Sequence, residues 1–312
     1  MSSITTNTAA MTALQTLTQT NKALTETQNR ISTGYRVNDA QDNAAYWSIA
    51  TTMRSDNKAL SAVQDALGLG AATVDTAYTG LKSAIDVVDE IKSKLVTARG
   101  EGVDRAKIQT EIKQLQDQLK STADAAVISG ADNWLSVDSS TTGYNASKSV
   151  VSSFTRTGGA VTIQTISIDT STVKLYDSSS SAVGILDAKR DATGAVAATG
   201  FDIATLDISA LTNSTTDLAT LDSYVKGADA AISEMTDAAT TLGSVKSRIG
   251  LQQDFVKNLM DAIDRGVGQL VDADMNEEST RLTALQTKQQ LGIQALSIAN
   301  SSSQNILSLF RS

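Results

Sequence analysis

The sequence contains no proline, no cysteine and no histidine in 312 residues. At an average usage of about 5%, roughly fifteen prolines would be expected in a chain of this length. Because proline interrupts helices, its absence permits very long continuous ones. Without cysteine or histidine, the chain lacks the side chains of common zinc sites, thiol nucleophiles and histidine-based triads. These absences exclude most familiar enzyme classes.

Aromatic residues and positive charge are also scarce. Only 4% of the residues are aromatic while 41% are hydrophobic, so the core must be built from closely packed aliphatic side chains. With 34 acidic against 26 basic residues, the net charge is −8. This balance predicts no nucleic-acid partner and no membrane binding.

The sequence also lacks long apolar runs. No run of about 18 apolar residues is present that could span a membrane. Residues 1–15 lack the basic region and apolar segment of an ordinary secretory signal. We therefore expect neither membrane insertion nor simple signal-dependent export.

The stretch from Asp56 to Arg99 carries a regular heptad repeat of aliphatic and small side chains. Burying each large aliphatic side chain contributes roughly 1.5–3 kcal/mol, which outweighs the weak helix propensity of the intervening residues. The pattern predicts one long helix with a packing seam, in which Gly70 and Ala77 mark close approach. The two rows of the seam are Leu60, Leu67, Val74, Leu81, Val88 and Leu95, and Val63, Gly70, Ala77, Ala84 and Ile91.

Two further helices are predicted beside it. Gly100 and Gly102 end the first helix, and an amphipathic stripe predicts a shorter one from about Asp104 to Ala126. In the second half, a heptad row predicts a helix of about fifty residues. The spacing of its second row departs from seven residues toward the end of the helix, which favours packing on more than one neighbour. The first row is Leu221, Ala228, Met235, Leu242, Ile249, Val256, Ile263 and Leu270, and the drifting row is Leu218, Val225, Ile232, Ala239, Val245 and Leu259.

Between these helices, residues 136–216 are rich in Ser, Thr, Gly and Asp. Alternating β-branched residues predict strands at Val161–Ile163 and Ile166–Ile168. Gly158-Gly159, which follows Val150-Val151, predicts a hairpin turn. Val173–Leu175 is a further short strand candidate. The middle is therefore predicted to be a small β-rich insert.

The two ends of the chain carry almost no charge. Neither Ser2–Asn21 nor Gln289–Phe310 contains a charged side chain, and both have apolar stripes with helical spacing. Each helix alone would bury too little surface to offset its ordering entropy, so both are expected to need partners. Burial together in a crowded assembly would explain the missing charges. Solvated, unstructured tails are the alternative interpretation.

Three short motifs are better explained by structure than by chemistry. Asp272-x-Asp274-x-Asn276 begins like a calcium loop, but the later ligand positions do not fit, so we interpret it as acidic residues opening a last helix. Gly68-Leu-Gly70 lies inside the heptad helix and is interpreted as close packing. Tyr46 and Trp47 are interpreted as packing anchors, with a binding patch as the alternative. No catalytic, cofactor-binding or metal-binding residues and no cofactor are predicted.

Several segments resemble the signatures of bacterial flagellins. NRISTGYRVNDAQDNAA at Asn29–Ala45 closely resembles the family's N-terminal signature. Val271–Ser279, Gln286–Leu291 and Asn305–Arg311 resemble its C-terminal signature, and Ser247–Gly250 matches a further segment. The run Ala44–Asp56 is most similar to the alphaproteobacterial branch.

The resemblance implies a mainly α fold, in which long heptad-repeat helices from both ends pack as a coiled-coil rod, with a small β-rich central insert that projects outward. It implies an inner helical domain from residues 1–43 and 270–312, which lines the filament lumen. A helical rod domain comprises residues 44–135 and 217–269, and residues 136–216 form a variable outer region.

The resemblance also assigns roles to the apolar stripes. Rod packing is expected from Leu60, Leu67, Leu81, Val88, Leu95, Leu242, Ile249 and Val256. Subunit assembly is expected from Leu14, Leu17, Leu24, Ile31, Leu285, Leu296, Ile306 and Phe310.

The function implied is that of the structural subunit that polymerises into the flagellar filament outside the cell, after type III export without a cleaved signal. The implied partners are other copies of the chain, sister flagellins, an export chaperone, the filament cap and hook-junction proteins. Host immune receptors are a further candidate, through a segment with Arg36, Asp42, Tyr46, Trp47 and Glu90. Glu90 stands where many receptor-active relatives have Arg, and Tyr46-Trp47 replaces smaller residues, so recognition is expected to be weak.

Two other classes of protein share some of these features. A hook-filament junction protein has similar ends but usually less of the Asn29–Ala45 and Asn305–Arg311 signatures. A chemoreceptor-type signalling hairpin also uses Ala- and Gln-rich heptads, but it should be helical through its centre and carry membrane spans. An enzyme with a carboxylate pair built by the fold has no support in the sequence.

Overall fold

The computed structural model describes residues 7–128, 132–157, 160–179 and 183–309, with side chains described as far as residue 301 in the last helix. The chain divides into two compact units. One unit contains the described residues up to Lys58 together with those from Met260 onward, and the other is Ala59–Leu259.

Five helices and four strands are found in the described residues, and the long helices lie toward both ends of the chain. The predicted mainly α fold with a small strand-containing centre is therefore confirmed. In chain order the elements are α1 (Thr8–Thr33), α2 (Ala40–Ala98), α3 (Arg105–Ala125), β1 (Ser136–Val137), β2 (Ser147–Thr157), β3 (Ala160–Asp169), β4 (Tyr176–Asp177), α4 (Thr215–Val271) and α5 (Met275–Leu309).

Local capping explains where the first helices begin and end. The Asn7 side chain accepts a hydrogen bond from the backbone N–H of Ala10 at the start of α1. Gly34, with φ of 76°, ends α1 in the left-handed conformation that glycine adopts without strain. Asn43 interrupts α2 with extended backbone, and its side chain accepts from the N–H of Tyr46 at 3.1 Å. Helix α2 therefore restarts on a cap.

The predicted seam of α2 is buried throughout. Its first row, from Leu60 to Leu95, is at most 2% exposed. Gly70 explains the close approach, because a Cβ at this position would lie 2.3 Å from Cγ1 of Val150 in β2. The close neighbour of Gly70 is thus a strand of the central region, whereas the sequence favoured helix packing.

The first row of α4 is also buried, from Leu221 to Val256, with each side chain fully inaccessible. In the predicted second row, Val245 is buried as expected, while two positions are displaced by one residue. Ala231 and Ala238 are buried, whereas Ile232 and Ala239 are only partly buried. At the first of these positions the small Ala231 is buried where the larger Ile232 was expected.

The central region contains an antiparallel hairpin of β2 and β3, in which Val150 pairs with Ile166 and both are buried. The predicted strands at Val161–Ile163 and Ile166–Ile168 are confirmed in β3. The predicted turn at Gly158-Gly159 lies outside the described residues.

The predicted strand at Val173–Leu175 is wrong. These residues form a turn and bend, and the strand β4 begins at Tyr176, where it pairs in parallel with β1. All five consecutive side chains from Val173 to Asp177 are buried, so the alternation of a half-exposed strand is absent. Lys174 and Asp177 are buried as an ion pair at 2.6 Å.

The segment 183–214 is organised by loops around Arg190, which is completely buried. Its guanidinium donates to both carboxylate oxygens of Glu234 in α4, at 3.0 and 2.7 Å. It also donates to the backbone carbonyls of Ile185 and Gly194. Because a buried guanidinium needs such partners, these bonds fasten the loops to α4.

Candidate functional site

Helices α1 and α5 pack against each other in antiparallel orientation. Asn7 donates to the backbone carbonyl of Ala299 at 3.0 Å, and Gln289 donates to the side chain of Asn21 at 2.8 Å. Nearer the other end of the pair, Arg30 forms an ion pair with Glu278. The two predicted terminal helices are therefore each other's partner within the chain.

Apolar burial between α1 and α5 is small. Thr20 and Thr27 are the buried residues of α1, and Thr20 donates its hydroxyl proton to the carbonyl of Thr16. Leu17 packs against Gly292, where an added Cβ would lie 3.8 Å from the Leu17 Cβ. Four further predicted assembly residues are partly buried, namely Leu24, Ile31, Leu285 and Leu296.

Large apolar side chains remain exposed on both helices. On α1, Leu14 is 54% exposed and lines a groove of about 690 Å³ between Thr8 and Lys22. Such a surface suits contact with another chain. The exposed large apolar residues of the pair are Met11, Leu14, Met275, Leu291, Ile293 and Ile298. The side chain of Ile306 and all of Phe310 lie outside the described residues.

The turns that follow α1 and precede α5 are bonded to each other. We name residues 34–37 and 271–273 the turn clasp. Ala273 donates to the carbonyl of Gly34 at 2.9 Å, and Arg36 and Val37 both donate to the carbonyl of Val271. Val37 and Val271 are buried together with Ala50 and Val267. The clasp therefore holds the adjoining ends of α1 and α5 together.

Asp274 opens α5, as predicted. Its carboxylate accepts from the backbone N–H groups of Asn276 and Glu277, at 2.9 and 3.3 Å. The acidic residues thus serve the helix start. Within the residues that the structure describes, no group of three or more potential metal ligands is found, and no helix there is long and apolar enough to cross a membrane.

The candidate immune segment is exposed near the turn clasp. Arg36 donates to the carbonyl of Leu270, and the Asp42 carboxylate accepts from the N–H of Asn38 at 2.8 Å. Tyr46 and Trp47 are 40% and 38% exposed, so their interpretation as packing anchors of the chain's own core is wrong. The small core nearby is instead built from aliphatic residues.

Glu90 lies far along α2 on an exposed face. Its carboxylate is 3.6 Å from Lys94, which also pairs with Glu111 of α3 at 2.7 Å. The hydrogen bond to Glu111 is the main reason why the pKa of Lys94 is raised, and Glu90 adds to it. In this chain, Glu90 thus belongs to an exposed three-residue ion pair network.

The residues predicted to pack the rod are buried at 2% exposure or less. They are Leu60, Leu67, Leu81, Val88, Leu95, Leu242, Ile249 and Val256. Exposed ion pairs flank them, such as Lys92 with Asp229 at 2.5 Å and Arg99 with Asp222 at 3.0 Å. Exposed pairs contribute about 0–1 kcal/mol each, so the apolar seam dominates the stability of this packing.

Among the ion pairs that the sequence did not indicate, two involve an almost fully buried side chain and link distant parts of the chain. Arg190–Glu234 and Arg30–Glu278 join residues that are 44 and 248 positions apart. No local spacing indicates such pairs. A signal was available for the second pair only, since Arg30 and Glu278 lie in two of the segments that carry the family resemblance.

Comparison with known proteins gives matches at both ends of the chain. The family described as "Bacterial flagellin N-terminal helical region" matches residues 4–138, and "Bacterial flagellin C-terminal helical region" matches residues 225–310. The two regions leave residues 139–224 unmatched.

Curated relatives match over their full length. The chain is 52% identical to Flagellin C of Rhizobium meliloti (strain 1021) over 329 aligned positions. It is 47% identical to Flagellin A of Rhizobium meliloti over 398 positions, and 48% identical to a flagellin of Brucella melitensis biotype 1 over 312. Each alignment covers 100% of both chains.

Proposed function

Because the chain belongs to the bacterial flagellin family, we propose that its two terminal helices together form the surface through which subunits assemble. Flagellins are the structural subunits of the helical filament of the bacterial flagellum, which lies outside the cell, and this is the function of the chain. The full-length relatives are named flagellins, and nothing favours the hook-filament junction alternative.

The proposed domain organisation has three parts. Residues 1–43 and 270–312 form the inner domain, residues 44–135 and 217–269 form the rod, and residues 136–216 form the outer region. The pairing of α1 with α5 supports the first part, and the buried seams of α2 and α4 support the second. The unmatched residues 139–224 nearly coincide with the proposed outer region.

The proposed assembly residues are the apolar residues of α1 and α5. The exposure of Leu14 beside Met11 supports this role, because neither side chain is covered within the chain. Burying a side chain such as leucine contributes roughly 1.5–3 kcal/mol, so docking on a neighbouring subunit would supply what the α1–α5 pair lacks. The proposed set is Leu14, Leu17, Leu24, Ile31, Leu285, Leu296, Ile306 and Phe310.

The geometry of such a contact determines the product. An interface between two different surfaces of identical subunits, repeated without closing, gives an open helical filament. If the terminal helices become stable only on docking, growth is restricted to a tip where a neighbour is already in place. In this mechanism, the folding of α1 and α5 and the addition of a subunit are one event.

The experiment that tests this proposal removes residues Gln289–Ser312. The unit Ala59–Leu259 keeps its whole apolar seam in this variant, so its helical circular dichroism is expected to persist. The truncated protein is expected to stay monomeric when short filament seeds are added at neutral pH, while the full chain gives long filaments of uniform diameter. Filaments formed by the truncated protein would disprove the proposal.

We further propose that the filament incorporates sister flagellins and that an export chaperone, the filament cap and hook-junction proteins contact the chain during type III export and growth. Four proteins named Flagellin A, B, C and D occur in Rhizobium meliloti (strain 1021), which supports the existence of sister subunits in related organisms. Copurification of chain-specific partners from cells with growing filaments tests these contacts.

We also propose that host immune receptors detect the chain only weakly. This proposal is supported by Glu90, which carries a negative charge on an exposed face, and by the bulky Tyr46 and Trp47 in the exposed segment. Purified monomer is expected to give little signalling in receptor-expressing cells. Glu90→Arg is expected to increase signalling, and strong signalling by the unaltered monomer would contradict the proposal.

A further inference from the structure

Glu278 is unusual among the side chains of α5. It is 5% exposed and is the one buried residue among the described side chains of this helix, residues 275–301. Its Oε1 accepts a hydrogen bond from Arg30 at 3.1 Å, while its Oε2 is buried without a hydrogen-bond partner. The most buried of the described side chains of α5 is therefore a carboxylate that is hydrogen-bonded to Arg30.

Apolar residues of α5 are not confined to its partly buried face. Leu285 and Leu296 are partly buried toward α1, yet Leu291, Ile293 and Ile298 are more than half exposed elsewhere on the helix. The facing residues of α1 that are buried are the threonines Thr20 and Thr27. A helix with apolar residues on several faces can pack through more than one of them at similar free energy.

The turn clasp does not remove this ambiguity. Its backbone hydrogen bonds fix where α1 ends and α5 begins, but they do not determine how α5 is rotated about its own axis. Rotation by one residue, about 100°, would carry Glu278 away from Arg30. That rotation would separate a buried carboxylate from its cationic partner, which is a costly change.

We propose that Arg30 and Glu278 are the positioning pair that determines which face of α5 packs on α1. By this choice they leave Leu291, Ile293 and Ile298 directed outward, where a neighbouring subunit can cover them. Buried polar pairs are best known for specifying one packing arrangement at some cost in stability. The inference rests on the proposed role of α1 and α5 in assembly.

The absence of cysteine from the chain makes a direct test available. In a Leu17→Cys and Gly292→Cys variant, the two Cβ atoms would be 3.8 Å apart, which suits a disulfide bond. A second variant, Leu17→Cys with Leu291→Cys, reports a rotated α5, because Leu291 is 59% exposed. Both variants are oxidised under identical mild conditions. The yield ratio, defined as the disulfide yield of the 17–292 pair divided by that of the 17–291 pair, measures which face of α5 packs on α1.

The informative change is Arg30→Met with Glu278→Met in both reporter variants. It removes both charges together, so no unpaired charge is left buried and the helices can still pack. We expect the yield ratio to fall by about tenfold and seeded filament yield to fall with it. Glu278→Gln keeps the shape of the side chain and one hydrogen bond, so it provides a test should the double variant fail to fold. It is expected to lower the yield ratio by less than the double variant does.

The matched control is Glu26→Gln. Glu26 also accepts from Arg30, at 2.5 Å, but its side chain is 61% exposed. An exposed pair contributes little, so this variant is expected to keep both the yield ratio and filament yield within about twofold of the parent.

The outcomes separate this inference from the proposed function. An unchanged yield ratio in the Arg30→Met and Glu278→Met variant overturns the inference, and so does normal filament growth despite a lowered ratio. Neither result bears on the truncation of Gln289–Ser312, which tests the assembly role of the terminal helices independently. A structural role without face selection would lower thermal stability and leave the ratio unchanged.

Discussion

The guanidinium of Arg190 donates hydrogen bonds to both carboxylate oxygens of Glu234, at 3.0 and 2.7 Å. Arg190 has no exposed surface, whereas the Glu234 side chain is 41% exposed. The pair therefore links the loops of residues 183–214 to α4 at the boundary between core and solvent. It is a long-range contact that no heptad pattern requires.

Removing the carboxylate of Glu234 is expected to destabilise the loops around Arg190. Glu234→Ala would leave a buried guanidinium with only its two backbone carbonyl partners. Because Glu234 is partly exposed, water can replace some of the lost bonding, and the expected loss is about 2 kcal/mol. Thermal unfolding followed by tryptophan fluorescence and far-ultraviolet circular dichroism measures it.

Asp237→Ala is the matched control for this prediction. Asp237 lies one turn along α4 on an exposed face, so its replacement is expected to change the free energy of unfolding by less than about 0.5 kcal/mol. Equal effects of Glu234→Ala and Asp237→Ala would show that the Arg190 contact is not stabilising.

Gly70 and Gly68 provide a second prediction with an internal control. A Cβ on Gly70 would lie 2.3 Å from Val150, whereas a Cβ on Gly68 would meet nothing within 4 Å. Gly68→Ala is therefore expected to stabilise the chain by about 0.5–1 kcal/mol through helix propensity. Gly70→Ala is expected to destabilise it, because overpacking of about 1–3 kcal/mol exceeds that gain.

Chemical denaturation of both glycine variants measures the difference. Adding Val150→Ala to Gly70→Ala removes the clashing methyl groups and is expected to recover part of the loss. A stabilising effect of Gly70→Ala alone would mean that β2 does not pack on α2 at this position.

The buried pair of Lys174 and Asp177 predicts sensitivity to acid. Burial alone would raise the pKa of Asp177, but hydrogen bonds from Lys174, Ser139 and Ser179 hold the pKa well below its ordinary value. The folded state therefore favours the ionised carboxylate. The resulting stability, on the order of 2 kcal/mol, is present above the ordinary pKa of about 4 and is lost as the pH falls below it.

Asp177→Asn is expected to remove this contribution at every pH. The variant should be less stable than the parent at pH 7, and the difference should shrink as the pH is lowered from about 4 toward 2. The free energy of unfolding from urea titrations across this range provides the measurement. A difference that stays constant with pH would contradict the assignment.

The heptad seams could be read from the sequence because the period of a helix fixes which residues share a face. The burial of Leu60, Leu95, Leu221 and Val256 follows from spacing alone. The Val173–Leu175 segment could not be predicted, since five consecutive buried side chains depend on the loops packed around them. Local pattern carries no information about those neighbours.

The candidate site was predictable only in outline. The uncharged ends indicated two helices that need partners, and α1 and α5 do pair with each other. The contact between Arg30 and Glu278 depends on a return of the chain after 248 positions, which no local period encodes. The exposure of Tyr46 and Trp47 was missed because apolar character alone does not tell a core position from a surface that a partner covers.

The exposed side chain of Leu14 is expected to contribute directly to assembly. Leu14→Ser removes an exposed apolar side chain from α1 and is expected to leave the thermal stability of the monomer unchanged, because Leu14 is 54% exposed. If a neighbouring subunit covers this position, the loss of roughly 1.5–3 kcal/mol per contact raises the critical concentration for polymerisation about tenfold or more. Sedimentation of seeded filaments over a range of protein concentrations gives this value.

Val196→Ser is the matched control for Leu14→Ser, since Val196 is 59% exposed but lies in the loops of the proposed outer region. Its replacement removes a similar exposed apolar surface, so any general effect on solubility is shared by the two variants. We expect Val196→Ser to keep the critical concentration within about twofold, because Val196 is not part of the proposed assembly surface of α1 and α5. An equal rise in both variants would place the assembly contact elsewhere than on α1.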